Sequence, residues 1–396
     1  MINKEYKAML SGKSVIRTLS EFATARGQEI GYDNVFDYTL GNPSVPVAKE
    51  YDEAIIKMHK EMSSRDLHGY SPSLGNTSVR EAVAKSLRAR FKVPYETKHI
   101  FMTSGAAGAI AHALRAVTQP GDTVLTFAPY FSEYTEYVRW TGAKLKVVPA
   151  NTVDFQINVE EFKAMLTEDV MAVLINTPNN PSGVMYSKET LITLTDIMRE
   201  KEEEFGHDIF LISDEPYREI AFDGIKTPYP SSFYDNALSC YSFSKSLSLP
   251  GERIGYVAVH PNATDAEVLA VIMGQISRGI GHNCPSSSVQ LAAAQCLELT
   301  SDMLVYETNM NLIYDKLVEL GFEVVRPGGT FYIFPKALEE DAVAFCNKAL
   351  KYDLVFVPSD GFGVKGYFRM AYCIDTDKVK RSLPVLEKFV KTEYPR

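Results

Sequence analysis

Three short apolar runs in this 396-residue chain drive into polar groups that a plain β-sheet does not require. Phe210-Leu211-Ile212 continues into Ser213-Asp214-Glu215-Pro216-Tyr217. One run earlier, Leu174-Ile175 leads into Asn176-Thr177-Pro178-Asn179-Asn180-Pro181-Ser182-Gly183. Tyr241-Ser242-Phe243-Ser244-Lys245 ends a third run in a lysine, with Pro250-Gly251-Glu252-Arg253 just beyond. Taken singly, Lys245 reads as a solvated lysine, Asp214 as a helix cap and the Asn-Pro run as a turn. Taken together at successive strand ends, where open α/β sheets bind ligands, they read as one site. Its chemistry is that of an electron sink. A lysine desolvated beside Arg253 is depressed in pKa far enough to form a Schiff base with an aldehyde cofactor. A buried carboxylate such as Asp214 keeps a pyridine nitrogen protonated, as a carbanion-stabilising pyridinium requires.

An anion site fits the turn Thr103-Ser104-Gly105-Ala106-Ala107-Gly108, which follows a strand-like run and opens a helical one. Small residues there let backbone N–H groups approach a phosphate at the positive end of a helix. Gly361-Phe362-Gly363-Val364-Lys365-Gly366 also satisfies GxGxxG, with Glu387 at about the right distance beyond. A strand-like run, Tyr367 to Tyr372, follows it where dinucleotide binding needs a helix, so it reads as a glycine-rich turn. There is no HExxH, Walker A or GxSxG pattern, and the seven histidines lack ligand spacing. No catalytic metal is expected.

The elements that must position these groups alternate between strand-length apolar runs and helical segments from about residue 99 to 260. That order predicts an α/β domain around a mostly parallel sheet. Six runs are visible, beginning near His99, Asp122, Met171, Ile209, Ser239 and Arg253. Ser187 to Phe205 reads as a helix, and Ser78-Val79-Arg80-Glu81 as a capping box opening another. Beyond about residue 300 the pattern changes to helix (302–320), strand (330–334), helix (341–352) and strand (367–372), a smaller α+β domain. The expected division is a large domain over residues 46–285 and a small one from 1–45 with 286–396. With 45% hydrophobic and 23% charged residues the composition is globular, and a net charge of −9 argues against nucleic-acid binding. The charged amino end and the absence of any 18-residue apolar stretch predict a soluble cytoplasmic protein without membrane association. Five widely spaced cysteines suit reduced thiols there.

These separated motifs, in this order and spacing, resemble the class I/II aminotransferases of fold type I over nearly the whole chain. The resemblance implies a seven-stranded type of sheet, pyridoxal 5'-phosphate as cofactor, amino and 2-oxo acids as substrates, and a homodimer with shared active sites. It implies that Lys245 forms the Schiff base and shuttles a proton, that Asp214 partners the pyridinium, and that Tyr217 and Asn180 bond the ring oxygen. Ser242 and Arg253 resemble the phosphate ligands, joined by the backbone of Gly105, Ala106 and Ala107. Tyr130, in Ala128-Pro129-Tyr130, is similar to the aromatic stacked on the pyridine face. Tyr70, in Tyr70-Ser71-Pro72, is similar to the tyrosine that reaches the neighbouring subunit's phosphate. Arg369 and Gly41 resemble the groups that grip the substrate α-carboxylate, the arginine through its bidentate fork. The family often carries a hydroxyl or a lysine where this chain has Ala106 and Ala107, which removes one means of reading an acidic side chain.

Arg278, in Arg278-Gly279-Ile280-Gly281-His282-Asn283, is similar in place to an arginine of the aspartate-specific branch that binds a distal carboxylate across the interface. On that reading aspartate and 2-oxoglutarate are preferred, by about 1.5 to 3 kcal/mol. The plain reading is a surface arginine near a helix end. The alternatives are an enzyme for aromatic or small neutral amino acids, with Phe331 and Tyr332 as pocket walls, or a C–S β-lyase or decarboxylase with the same cofactor. Product analysis separates the last pair: ammonia plus pyruvate means lyase, a stoichiometric new amino acid means transaminase. A non-catalytic ligand sensor is disfavoured by the complete set of lysine, aspartate and arginine.

Overall fold

The computed structural model describes residues 2–9 and 15–395; the rest of segment 1–45 lies outside the described residues. Strand β1 (Phe36–Asp37) precedes the main sheet, whose strands are β2 (Ile100–Thr103), β3 (Thr123–Phe127), β4 (Lys144–Val148), β5 (Val170–Asn176), β6 (Phe210–Asp214), β7 (Ala237–Ser242) and β8 (Gly255–Val259). They lie in the order β2-β8-β7-β6-β5-β3-β4, with only β8 antiparallel to its neighbours. Six of the seven coincide with the apolar runs of the sequence. The seventh, β4, is the edge strand Lys-Leu-Lys-Val-Val, and its lysines hide it from a search for apolar runs. Charged residues on an exposed edge are how sheets discourage pairing with a second molecule.

The central strands are buried and largely apolar up to their polar ends because both faces are covered. Ala172 and Leu174 of β5, Ile212 of β6 and Leu238 of β7 join one buried cluster with Ala109 and Ala113 of the helix Gly105–Val117. Val173, Ile175 and Leu211 point the other way, into a cluster with Leu191 and Leu194 of the helix Lys188–Phe205. That helix begins as expected, the Ser187 hydroxyl accepting from the Thr190 N–H. The helix expected from Ser78 instead spans Thr77–Phe91 and is capped by Asn76, whose Oδ1 accepts from the Ser78 N–H at 3.0 Å. An asparagine two residues upstream of Ser78 competes for the same orphan donors.

The remaining strands, β9 (Tyr332–Ile333), β10 (Leu354–Val355), β11 (Val357–Pro358) and β12 (Phe368–Ala371), form two small sheets, β1-β10 and β11-β12-β9. Helices Leu304–Glu319, Ala342–Leu350 and Thr376–Glu393 cover them around Phe345, Phe368 and Phe389. The glycine run 361–366 begins inside a single 3-10 turn (Ser359–Phe362) and leads into β12, with no helix between. Helix Ser287–Ala294 sends Ala292 and Ala293 into the same cluster as Val79, Val83 and Leu87 of the helix Thr77–Phe91. Among the described residues no helix is long and apolar enough to cross a membrane.

All strands of the main sheet except β8 end at one edge, so Thr103, Phe127, Asn176, Asp214 and Ser242 lie along a single rim. Central burial and edge exposure should separate in stability. Leu174→Ala, at a fully buried β5 position, should cost about 2–5 kcal/mol. Lys144→Ala, on exposed β4, should stay within about 0.5 kcal/mol of the parent. Chemical denaturation of the two variants checks this.

Candidate active site

Above that rim lies a cavity of about 300 Å³. Its wall brings together Gly41, Ala106, Ala107, Asn180, Asp214, Tyr217, Ser242, Lys245, Arg253 and Arg369, ten of the fourteen residues singled out in the sequence. Each follows the end of a strand or lies on a small-domain element facing it.

Asp214 closes β6, and its carboxylate is buried. The Tyr134 hydroxyl donates to Oδ2 at 2.5 Å, whereas Oδ1 has no partner. Burial pushes the carboxyl up to about 7; the Tyr134 bond works against this and the Glu215 charge with it. An unpaired acceptor in a buried cavity wall is costly unless something donates to it. A protonated ring nitrogen is such a donor.

Lys245 sits in the short helix Phe243–Ser246 after β7. Its Nζ donates to the Gly41 carbonyl at 2.6 Å and lies 5.4 Å from the Phe331 ring centre. Burial lowers its pKa to about 8, opposed by Cys373 and helped by Arg253 and Arg369. A substantial fraction is therefore neutral and nucleophilic near physiological pH. A side chain on Gly41 would collide with Phe331 and the Tyr332 hydroxyl, so glycine is what allows the close approach.

Arg369 of β12 donates from Nη1 to Asn180 Oδ1 at 3.0 Å and from Nη2 to the Thr39 carbonyl, while its buried Nε has no partner. Asn180 is held by its own N–H, which donates to Asn176 Oδ1 at 2.7 Å. The Tyr217 hydroxyl meets that of Tyr332 at 3.2 Å. At the far end, Arg253 donates to the Pro250 and Ser104 carbonyls beside the first turn of the helix Gly105–Val117. Gly105, at φ +76°, is in the left-handed region that favours glycine, and a Cβ there would press on the Arg253 guanidinium. Ala106 and Ala107 line the cavity at this helix N-terminus, where backbone N–H groups and the dipole favour an anion. A helix N-terminus beside Arg253, an open carboxylate oxygen, a nucleophilic lysine and an arginine with a free N–H are the set of groups that a phosphorylated pyridine aldehyde and an amino-acid carboxylate need.

Four of the singled-out residues stand apart from this wall. Gly105 acts from behind it, as described. Tyr130 points away, its ring near that of Tyr134 and packed against Gly363. Its neighbour Phe131 lines the wall instead, together with Tyr137, Tyr217 and Tyr332. Tyr70 and Arg278 line a separate open cleft of about 890 Å³, and Tyr70 is 109% exposed. Sequence reasoning missed Tyr134, which bonds Asp214, and Ser244, the second hydroxyl of Ser-Phe-Ser-Lys, which lines the wall and donates its N–H to Ser242 Oγ.

The Asp214 shift has a testable consequence. Folded, the carboxyl keeps its proton up to about 7; unfolded, its pKa is near 3.8. The folded state binds more protons across that window, so this group makes ligand-free stability fall as pH rises through it. Asp214→Asn should therefore be the more stable protein at pH 8, with the difference disappearing below pH 4. Parallel thermal-unfolding profiles would contradict the assignment.

The family model for aminotransferase class I and II matches residues 33–386. A crystal structure of an amino transferase from Eubacterium rectale has a TM-score of 0.97 and 40% identity, covering 100% of both chains. The aspartate aminotransferase of Thermotoga maritima is 28% identical over 366 residues, 91% of this chain and 92% of that one. The aromatic-amino-acid aminotransferase 2 of Thermococcus litoralis is 29% identical over 378 residues, 91% and 93% respectively. With this match along its length and a cavity whose donors suit the cofactor, the chain belongs to the class I and II aminotransferases, enzymes that use pyridoxal phosphate to act on amino and oxo acids.

Proposed function

We propose that this aminotransferase works as a homodimer on dicarboxylates, aspartate and 2-oxoglutarate foremost. The observation that carries the catalytic part is the convergence of Lys245, Asp214, Asn180 and Arg369 on one cavity. Pyridoxal phosphate, when bound, supplies the electron sink that makes the substrate Cα proton removable. Arg253, Ser242 and the N–H groups of Ala106 and Ala107 hold its phosphate, Asp214 its ring nitrogen, and Asn180 and Tyr217 its ring oxygen. Arg369 binds the substrate α-carboxylate through its fork, with Gly41 beside it. Lys245, close to its neutral form, takes the Cα proton and returns it from the same Nζ.

The dimer is supported by the cleft that Tyr70 and Arg278 share: the resemblance assigns both side chains to the neighbouring site, and both lie away from this chain's own cavity. Arg278 then reads the distal carboxylate. A second reading, aromatic or small neutral substrates, is favoured by Ile16, Leu40, Phe131 and Tyr332 in the cavity wall. A cytoplasmic setting is supported by five cysteines left as free thiols. The division into a large domain (46–285) and a small one (1–45 with 286–396) belongs to the same reading. The packing of Ala292 and Ala293 with Val79 argues for moving its second boundary to about residue 300.

Lys245→Ala should abolish formation of new amino acid from any donor and acceptor pair. Arg278→Ala should lower kcat/KM for aspartate about 10- to 150-fold and leave that for phenylalanine unchanged. An unchanged ratio removes Arg278 from the site and leaves specificity to the apolar wall.

A further inference from the structure

The loop that leaves β6 carries five polar side chains in six positions, Asp214-Glu215-Pro216-Tyr217-Arg218-Glu219, and divides them between two faces. Asp214 and Tyr217 line the cavity. Glu215, next in an extended chain, points to the opposite side of the sheet, and Arg218 turns under it. Arg218 Nη1 donates to Glu215 Oε2 at 2.9 Å, Nη2 to the Tyr256 hydroxyl at 2.8 Å, and Nε to Glu219 Oε1 at 3.3 Å. Its guanidinium lies 4.2 Å from the Tyr241 ring centre. Arg90 completes the group with two bonds to Glu219, at 2.8 and 2.7 Å. The Arg218 and Glu215 side chains are 2% and 0% exposed.

Stability alone is a weak reason for burying this set, because well-packed apolar residues do as well as a buried ion pair, whereas removing one partner leaves an uncompensated charge. The location offers another. Glu215 is bonded in sequence to Asp214, so charge on it acts at short range on the carboxylate that lines the cavity with one oxygen unpaired. We propose that Arg218 is a positioning residue for the active site: by offsetting part of the Glu215 charge behind β6, it keeps the Asp214 carboxyl from holding its proton still more tightly and leaves the unpaired oxygen available to a cationic ring nitrogen. This rests on the assignment of Asp214 to that nitrogen.

The other groups facing Asp214 are Tyr134 and Tyr137 from the helix Tyr134–Arg139, Cys240 from β7 and Tyr217 from its own loop. Those facing Glu215 besides Arg218 are Tyr95, Tyr229, Tyr256 and Cys240, with the hydroxyls of Ser213 and Ser239. Burial pushes Cys240 and every one of these tyrosines up, so they stay neutral at physiological pH. Burial pushes Glu215 up as well, opposed by the Arg218 charge and the bonds from Ser239 and Arg218, and the ion pairs of Glu219 with Arg218 and Arg90 lie beyond it.

The test titrates the affinity of the ligand-free protein for pyridoxal phosphate against pH, with thermal unfolding of each variant alongside. Arg218→Met, which strands the Glu215 charge, should move the acidic midpoint up by about one pH unit and weaken binding at pH 7 by up to about tenfold. Glu215→Gln, which strands the Arg218 charge instead, should move it down, and the double variant should return it to the parent value. The Glu215→Gln arm stands even if Arg218→Met does not fold. Midpoints that stay put in Glu215→Gln and in a folded Arg218→Met, while unfolding temperatures fall, would mean a structural role only and overturn the proposal. Asp214→Asn is the control: if it keeps the parent's affinity and acidic limb, the assignment of Asp214 fails first, and the proposal with it.

Discussion

The constraint on which this site depends is a carboxylate held out of water with only one of its two oxygens satisfied. Asp214 is buried at the end of a central strand in the cavity wall, Tyr134 occupies Oδ2, and the buried Oδ1 has nothing to accept from. A protein bears such a group where a cationic donor repays its desolvation. Everything else in the wall follows from the same logic of opposed charges in a dry space. Lys245, Arg253 and Arg369 surround the cavity with positive charge suited to a phosphate and a carboxylate, and mutual repulsion adds to burial in keeping Lys245 close to its neutral form.

The sheet makes this arrangement inexpensive in backbone terms. Parallel strands deliver their carboxyl ends to one rim, and side-chain alternation lets adjacent residues serve different faces. Asp214 faces the cavity while Glu215 joins the buried charges behind. The small domain then needs to supply only a few groups from the other side: Gly41 after β1, Tyr332 on β9 and Arg369 on β12.

Much of this was legible in the chain. Strand ends that carry Asp, Asn-Pro or Lys are conspicuous because polar groups interrupt apolar runs, so Asp214, Asn180 and Lys245 could be read as a set, though not singly. Strand β4 was not legible as an apolar run, since its edge position is written in lysines. The choice between Tyr130 and Phe131 depends on the path of the irregular segment between β3 and the helix Tyr134–Arg139, which composition does not reveal. Tyr134 belongs to a helix of only six residues, too short for periodicity to announce. Tyr70 and Arg278 were assigned through the family resemblance alone, and a single chain keeps both away from its own cavity.

The central claim is that Asp214 holds a protonated pyridine nitrogen. It is tested most directly by nitrogen-15 NMR of the protein loaded with ring-labelled pyridoxal phosphate at pH 8. The predicted result is a pyridinium chemical shift in the parent and an unprotonated pyridine shift in Asp214→Asn. An unprotonated nitrogen in the parent, or the same shift in both proteins, would contradict it.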